Sequence, residues 1–307
     1  MKRRDFIYKG IGAGVLTSVG FHSELLGSVL PGKTFGLASP YDMVAIRGGE
    51  AEVMFEKAIA SLGGMKAFVK PNQTVVVKPN IGWDSVPEKA ADTNPKLVAR
   101  IVEHCLRAGA KEVYVFDNTC DNWQKCYANS GIEKAVKDAG GKIVTGKSES
   151  MYQEVELKNA KILKTTKVHE LIMSCDVFIN VPVLKHHHST TVTAAMKNMM
   201  GVVWDRGYWH RNDLPQCIAD FPTFRKPDLN ILDAYKVMKK NGPRGVSVED
   251  TITLKAQLIS TDIVAIDAAA IKLFGAEPSS IAYMGKAVEL GLGTMDLDSL
   301  NINRLTI

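Results

Sequence analysis

The sequence predicts an α/β fold: a single doubly wound, mostly parallel sheet with helices on both faces. Three observations lead there. Short apolar runs such as TVVVK (74–78) and EVYVF (112–116) are rich in β-branched residues and too short for solitary helices, as expected of strands buried on both faces. Between them lie stretches of helical periodicity that stop at Gly63-Gly64, Gly109 and Gly140-Gly141. No internal repeat or low-complexity linker interrupts the alternation, so residues 39–307 read as one domain.

Residues 1–38 stand apart from that fold. A cationic start with paired Arg3 and Arg4 leads into a moderately apolar, glycine-containing run from Ile11 to Phe21, the layout of a secretory signal. Arg3-Arg4 followed by Asp5, Phe6 and Ile7 resembles the twin-arginine type, which would make the twin-arginine export machinery a partner and the periplasm or cell envelope the destination. Gly36 and Ala38 are small residues two apart, so the segment is expected either to be cleaved after Ala38 or to remain as an anchor. Without it the formal charge falls from +5 to +2. A near-neutral chain with no basic helix excludes nucleic acid as a partner. No later segment is long and apolar enough to span a bilayer, so no transmembrane segment is expected in the mature chain.

The elements follow in order. Residues 43–46 read as a strand and 50–62 as a helix; 74–78 is the second strand, closed by Pro79-Asn80. Pro95 stands where the first turn of a helix accepts proline, with Thr93 and Asn94 as candidate caps, and Leu97, Ile101, Leu106 and Ala108 carry that helix to Gly109. A strand over 112–116, a helix over 132–139 and a strand over 142–145 come next. Residues 153–163 read as two short strands and 168–173 as a helix. The central stretch, Asp176 to Gly201, begins as a buried strand broken by Pro182. It continues through Lys185, His186, His187 and His188 into a hydroxyl-rich loop, then a helix that starts near Thr193 and stops at Gly201. Residues 202–226 show little periodicity and read as a small insertion. Strands over 229–232 and 252–259 and helices over 263–274 and 281–290 complete the chain.

In a parallel sheet these strand ends share one edge, the edge at which ligands bind. Polar residues arrive there as Lys78-Pro79-Asn80, Asp117-Asn118, Lys185 to His188, and Asp233. Asp, Asn and Pro also end strands simply because they favour turns. Lys78 and Lys185 differ, since each closes a buried apolar run in which an ammonium needs a partner or a ligand. Lys197 lies one helical turn from Thr193, and with Asn198 and the helix N-terminus it extends a site for a small anionic molecule, a carboxylate or a phosphate. Three successive histidines on an extended backbone alternate sides, so at most two share a face; His187 is the candidate for proton transfer, or for a divalent metal if one is bound. Asp267 sits on the apolar stripe of 263–274, where a carboxylate must be hydrogen-bonded, paired or shifted in pKa. Asp262 reads either as a helix cap or as a substrate contact. Cys105, Cys120, Cys126, Cys175 and Cys217 include no Cys-x-x-Cys pair, so no iron–sulfur cluster is expected within the chain. Cys120 and Cys126, six apart, either close a bridge after export or stay free and buried like the rest.

These residues carry a resemblance. Lys78-Pro79-Asn80, Asn94-Pro95 opening a helix that ends in Ala108-Gly109-Ala110, and Asp117 resemble the family catalogued as domain of unknown function 362. Ile179-Asn180-Val181-Pro182-x-Leu184-Lys185-x-His187, then Thr193 and Lys197-Asn198-x-x-Gly201, are similar to its most distinctive motif. Asn230-Ile231-Leu232-Asp233, Asn241-Gly242-Pro243 and Ser260-Thr261-Asp262-x-x-Ala265-x-Asp267 match as well, so the resemblance runs from about Val75 to Leu292. It gives the motif's role to His187 rather than His186, where many relatives have a smaller residue. Some members carry a ferredoxin-like cysteine segment, which implies a link to iron–sulfur chemistry; this chain has no such segment.

Two functions are compatible with these residues. One is an exported enzyme acting on a small anionic substrate, with Lys78, Lys185 and Lys197 as anion clamps, Asn80, Thr193, Asn198, Asp233 and Asp262 as substrate contacts, and His187, Asp117 or Asp267 moving a proton. The other is a non-catalytic accessory protein that holds a ligand, metal or cofactor for a redox partner protein.

Overall fold

A computed structural model describes residues 39–307. Arg3-Arg4 and the expected cleavage point after Ala38 lie outside the described residues. The chain enters with β1 (Met43–Arg47) and α1 (Ala51–Ser61), followed by β2 (Thr74–Pro79), α2 (Pro95–Arg107) and β3 (Glu112–Val115). Asn94 caps α2 by accepting from the N–H groups of Lys96 and Leu97, with Pro95 in the first turn as the sequence predicts. Next come α3 (Trp123–Asn129), α4 (Ile132–Asp138), β4 (Lys142–Ile143), and the antiparallel pair β5 (Tyr152–Glu156) and β6 (Thr165–His169). The central stretch holds α5 (Glu170–Ser174), β7 (Val177–Val181), β8 (Val183–His187), β9 (Thr191–Thr193) and α6 (Ala195–Asn198). Then follow α7 (Arg206–Arg211), α8 (Leu214–Asp220), β10 (Leu229–Met238), β11 (Thr251–Ser260), α9 (Ile263–Phe274), α10 (Ala282–Glu289) and β12 (Ile302–Thr306).

The large sheet has the order β12-β1-β11-β10-β7-β2-β3-β4, with β8 beside β10 and β9 beside β8. Strands β10, β7, β2, β3 and β4 are parallel, and β11 runs antiparallel to both its neighbours. The architecture is therefore the expected α/β one, with a mostly parallel sheet mixed toward one edge. Its central strands are buried on both sides. Val75 and Val77 of β2 join Val177, Ile179 and Val181 of β7 in a core with α1, α2 and α4, whereas Val76 and Phe178 belong to a second core with α6, α8, α9 and α10. Burying a large aliphatic side chain is worth roughly 1.5–3 kcal/mol, which is why consecutive valines settle in a strand covered on both faces.

Several expectations are corrected. Pro182 ends β7 because it has no N–H for the ladder. Beyond it β8 shifts to pair with β10 and folds back on β9, so Lys185, His186 and His187 lie in a strand of a hairpin and not in a polar loop. The helix expected over 168–173 begins only at Glu170, since Val168 and His169 pair with β5 in β6, a strand that starts after the expected 153–163. The helix expected from Thr193 to Gly201 is a single α-turn followed by a 3-10 turn. Residues 202–226 are largely helical and contribute Trp209, Cys217, Ile218 and Phe221 to the second core, so they belong to the main body. Finally, β10 runs on to Met238, which places Asp233 inside a strand instead of at its end.

Candidate functional site

After β2 the chain builds outward through β3 and β4, then returns to lay β7 on the other side of β2. A crevice opens beyond the carboxyl ends where connections diverge in this way. A cavity of about 460 Å³ lies there, and Lys78, Asn80, Asp117, Lys185, His187, Thr193, Lys197 and Asn198 all line it. Each arrives for a local reason. Lys78 follows the valines of β2 with the same facing as Val76, and its register partner in β7 is Asn180. The Thr93 hydroxyl donates to the Val181 carbonyl and accepts the Asn80 N–H, both at 2.8 Å, tying together the exits of β2 and β7. Lys185 and His187 are two apart in β8 and share a face, whereas His186 faces away and accepts the Gly242 N–H at 3.0 Å.

The cations differ in how they are compensated. Lys78 forms a buried ion pair with Asp117 at 3.0 Å and donates to Asn198 Oδ1 at 2.9 Å; Asp117 also accepts the Ile81 N–H at 2.8 Å. Burial pulls the Lys78 pKa down and the Asp117 charge opposes it. Lys185 donates to Asn80 Oδ1 at 3.1 Å and to the Ala91 carbonyl. Burial pushes Lys185 down and the nearby Asp92 up, while their mutual attraction works against both shifts. Asn198 is the hub between them, since its Oδ1 accepts from both Lys78 and Asn80 and its Nδ2 donates to Asn180.

Lys197 has no such compensation. Its Nζ contacts Met200 Sδ at 3.0 Å, and no carboxylate among the described residues lies within ion-pair distance. Burial brings its pKa to about 7. His187 accepts the Ser189 N–H at Nδ1, which leaves the proton of a neutral ring on Nε2. Burial first, then the charges of Lys197 and Lys185, depress its pKa to about 2. The Thr193 hydroxyl is buried without a hydrogen-bond partner.

Three of the residues singled out in the sequence are not in this lining. Asp267 is fully buried beneath it, where its carboxylate accepts the N–H groups of Ala195 and Met196, with burial raising its pKa to about 7. The N-terminus of α6, expected to face a ligand, is thus occupied by the protein's own carboxylate. Asp262 caps α9 through the Val264 and Ala265 N–H groups, both at 2.8 Å, and also accepts from Thr294. Asp233 lines a separate cavity of about 150 Å³ with Asp92 and Asn94, and burial raises its pKa to about 6.

Sequence reasoning missed Trp83, Cys120, Arg206 and His210, which also line the large cavity. Trp83 and Cys120 lie three residues beyond Asn80 and Asp117, so following those two strand ends further would have found them. Arg206 and His210 lie in the stretch without periodicity and carried no signal. The Arg206 guanidinium donates to the Asn118 and Thr119 carbonyls at 2.6 and 2.7 Å, fixing the loop after β3. No group of three or more His, Cys, Asp or Glu side chains among the described residues is arranged to hold a metal ion. All five cysteines are free, with Cys120 exposed and Cys126 buried, so the bridge considered between them is not formed.

Against known proteins, the family model named Domain of unknown function (DUF362) matches residues 75–272. The chain belongs to this family. Every residue of the DUF362 signature quoted above as far as Asp267 falls inside the match. The thylakoid-associated protein sll1697 of Synechocystis sp. is 27% identical over 239 residues, covering 75% of this DUF362 chain and 72% of its own length. Among solved structures, the lactate racemase apoprotein from Thermoanaerobacterium thermosaccharolyticum aligns with a TM-score of 0.44 and 11% identity over 69% of this chain. The chain spans about half the length of that structure, 53%. No helix among the described residues is long and apolar enough to cross a membrane.

Proposed function

We propose that this protein is an enzyme that binds a small anionic substrate in the large cavity and moves a proton on it with Lys197. The observation that carries the reading is the buried Lys197 ammonium, which has a thioether beside it and no carboxylate. A buried unpaired charge is costly, and an anionic ligand offsets that cost. With a pKa of about 7, Lys197 is present in both protonation states near neutral pH, the condition for general acid–base work. His187, kept neutral, supplies an Nε2–H hydrogen bond to the bound anion in place of the proton transfer expected from sequence. Lys78 and Asn198 hold the shape of the floor, while Lys185 and Thr193 add contacts.

Lys197→Met tests this directly. Calorimetric affinity for inorganic phosphate or succinate should fall at least about tenfold, while the empty variant gains about 1 kcal/mol or more at pH 7 because no ammonium is left to bury. The sign of the pH dependence follows from the shift. Between the folded value of about 7 and the ordinary 10.5, the unfolded chain holds more protons at this group, so its contribution to stability rises with pH across that window. In Lys197→Met that rise should vanish. Undiminished affinity in the variant would sink the reading. Hydrogen–deuterium exchange at carbon in bound small carboxylates, followed by NMR, separates catalysis from binding: tight binders that never exchange or turn over would make this a binding protein.

We also propose that the protein works outside the cytoplasm, which rests on Arg3-Arg4 ahead of a weakly apolar run. Arg3→Lys with Arg4→Lys keeps the charge and removes the guanidinium pair. Cell fractionation should then find the precursor retained inside; export at the parent's efficiency would rule the route out.

A further inference from the structure

We propose that Cys120 is the reactive thiol of this site, placed so that the cavity captures small anions carrying an electrophilic carbon and bonds them covalently through Sγ. The inference rests on the anion reading above and extends it to the class of molecule bound. Among the five cysteines, Cys120 alone is exposed, and it lines the same cavity as Lys78, Lys185, Lys197 and Arg206. Its loop is fixed on both sides. The Cys120 N–H donates to the Gly82 carbonyl at 2.7 Å, Arg206 holds the carbonyls of Asn118 and Thr119, and the Thr119 hydroxyl donates to the Asp121 carbonyl at 2.8 Å.

A second feature of the cavity points to a ligand independently of the thiol. Thr193 is 3% exposed, and its hydroxyl lines the cavity without a partner, so it offers a hydrogen bond to a polar ligand in the same space. The wall around Cys120 is cationic, and a negative charge on Sγ favours the protonated forms of Lys78, Lys185 and Lys197. An anionic electrophile drawn in by these cations is thereby brought beside Sγ, which lines the same cavity. The step balances without any redox reagent: the thiol proton leaves to solvent at the open side, Sγ forms a bond to the electrophilic carbon, and the leaving group departs with its electron pair.

Iodoacetate and iodoacetamide are the probes, because they share the electrophilic carbon and differ in charge. Their rates of alkylation should be followed by intact mass and peptide mapping on the parent, Cys120→Ser and Lys197→Met proteins, with glutathione as reference. The expected result is a single adduct on Cys120, absent from Cys120→Ser, with an iodoacetate-to-iodoacetamide rate ratio roughly tenfold above that of glutathione. Lys197→Met and saturating phosphate should both bring the ratio down. A ratio equal to that of glutathione, or an adduct on another cysteine, overturns the proposal. Calorimetry with phosphate on the same samples separates the two readings. Phosphate binding without an iodoacetate preference removes the thiol's role and leaves the anion site standing; absence of both removes the anion site as well.

Discussion

Asp117→Ala is expected to cost roughly 3–5 kcal/mol of stability, the largest effect of any single substitution in the cavity wall. Lys78 is 1% exposed and Asp117 is its one ion-pair partner among the described residues. Removing the carboxylate leaves a buried ammonium with amide oxygen for company, and it also orphans the Ile81 N–H. Urea unfolding measures the loss. Lys78→Met with Asp117→Ala should regain much of it, because the double variant removes the charge along with its partner. Parent-like unfolding of Asp117→Ala alone would show that the pair is hydrated and that its burial has been overstated.

Gly201→Ala should cost about 3 kcal/mol and abolish phosphate binding, although the change adds a single methyl group. A Cβ at this position would overlap Asp117 Oδ1 and press on Lys78 Nζ and Cε. The backbone cannot retreat, since the Gly201 carbonyl accepts the Asn118 N–H at 2.9 Å and so anchors the 3-10 turn to the loop after β3. Thermal unfolding and phosphate calorimetry on the same preparation check both halves. A variant with parent values in each would mean that the turn shifts freely and that glycine is dispensable there.

The strands of the fold were legible because the physics that forms them is local. Three valines in a row before Lys78, or Val177 to Val181 before Pro182, describe a segment buried on both faces whatever packs against it. The convergence of Lys78 and Asp117 was legible for the same reason, since the parallel strands β2 and β3 put their ends together, whereas Lys185 reaches them from within the β8 strand of the hairpin. What was not legible depended on contacts between distant segments. Asp267 stood out as a carboxylate on an apolar stripe, yet nothing in the sequence says that it reaches the N–H groups of Ala195 and Met196, 72 and 71 residues earlier. His187 could be read as an acid or base by residue type alone; only the neighbouring ammonium groups and its burial reveal that it stays neutral. The β8–β9 hairpin escaped because the threonines of Thr191–Thr193 suit a loop as well as a strand, and pairing with Lys185–His187 decides between them.

The amide hub of the cavity bears on how quickly this protein comes apart. Lys78 meets Asn198 across 120 residues of chain and Lys185 meets Asn80 across 105. Contacts at such separations form only after long loops have closed, so during folding the lysines remain hydrated at least until β2 and β7, which pair Val75 with Val177, have come together. Interactions made that late contribute little to the barrier on the way in and most of their weight on the way out. An anion bound there as proposed would therefore lengthen the lifetime of the native state while leaving the rate of reaching it nearly unchanged.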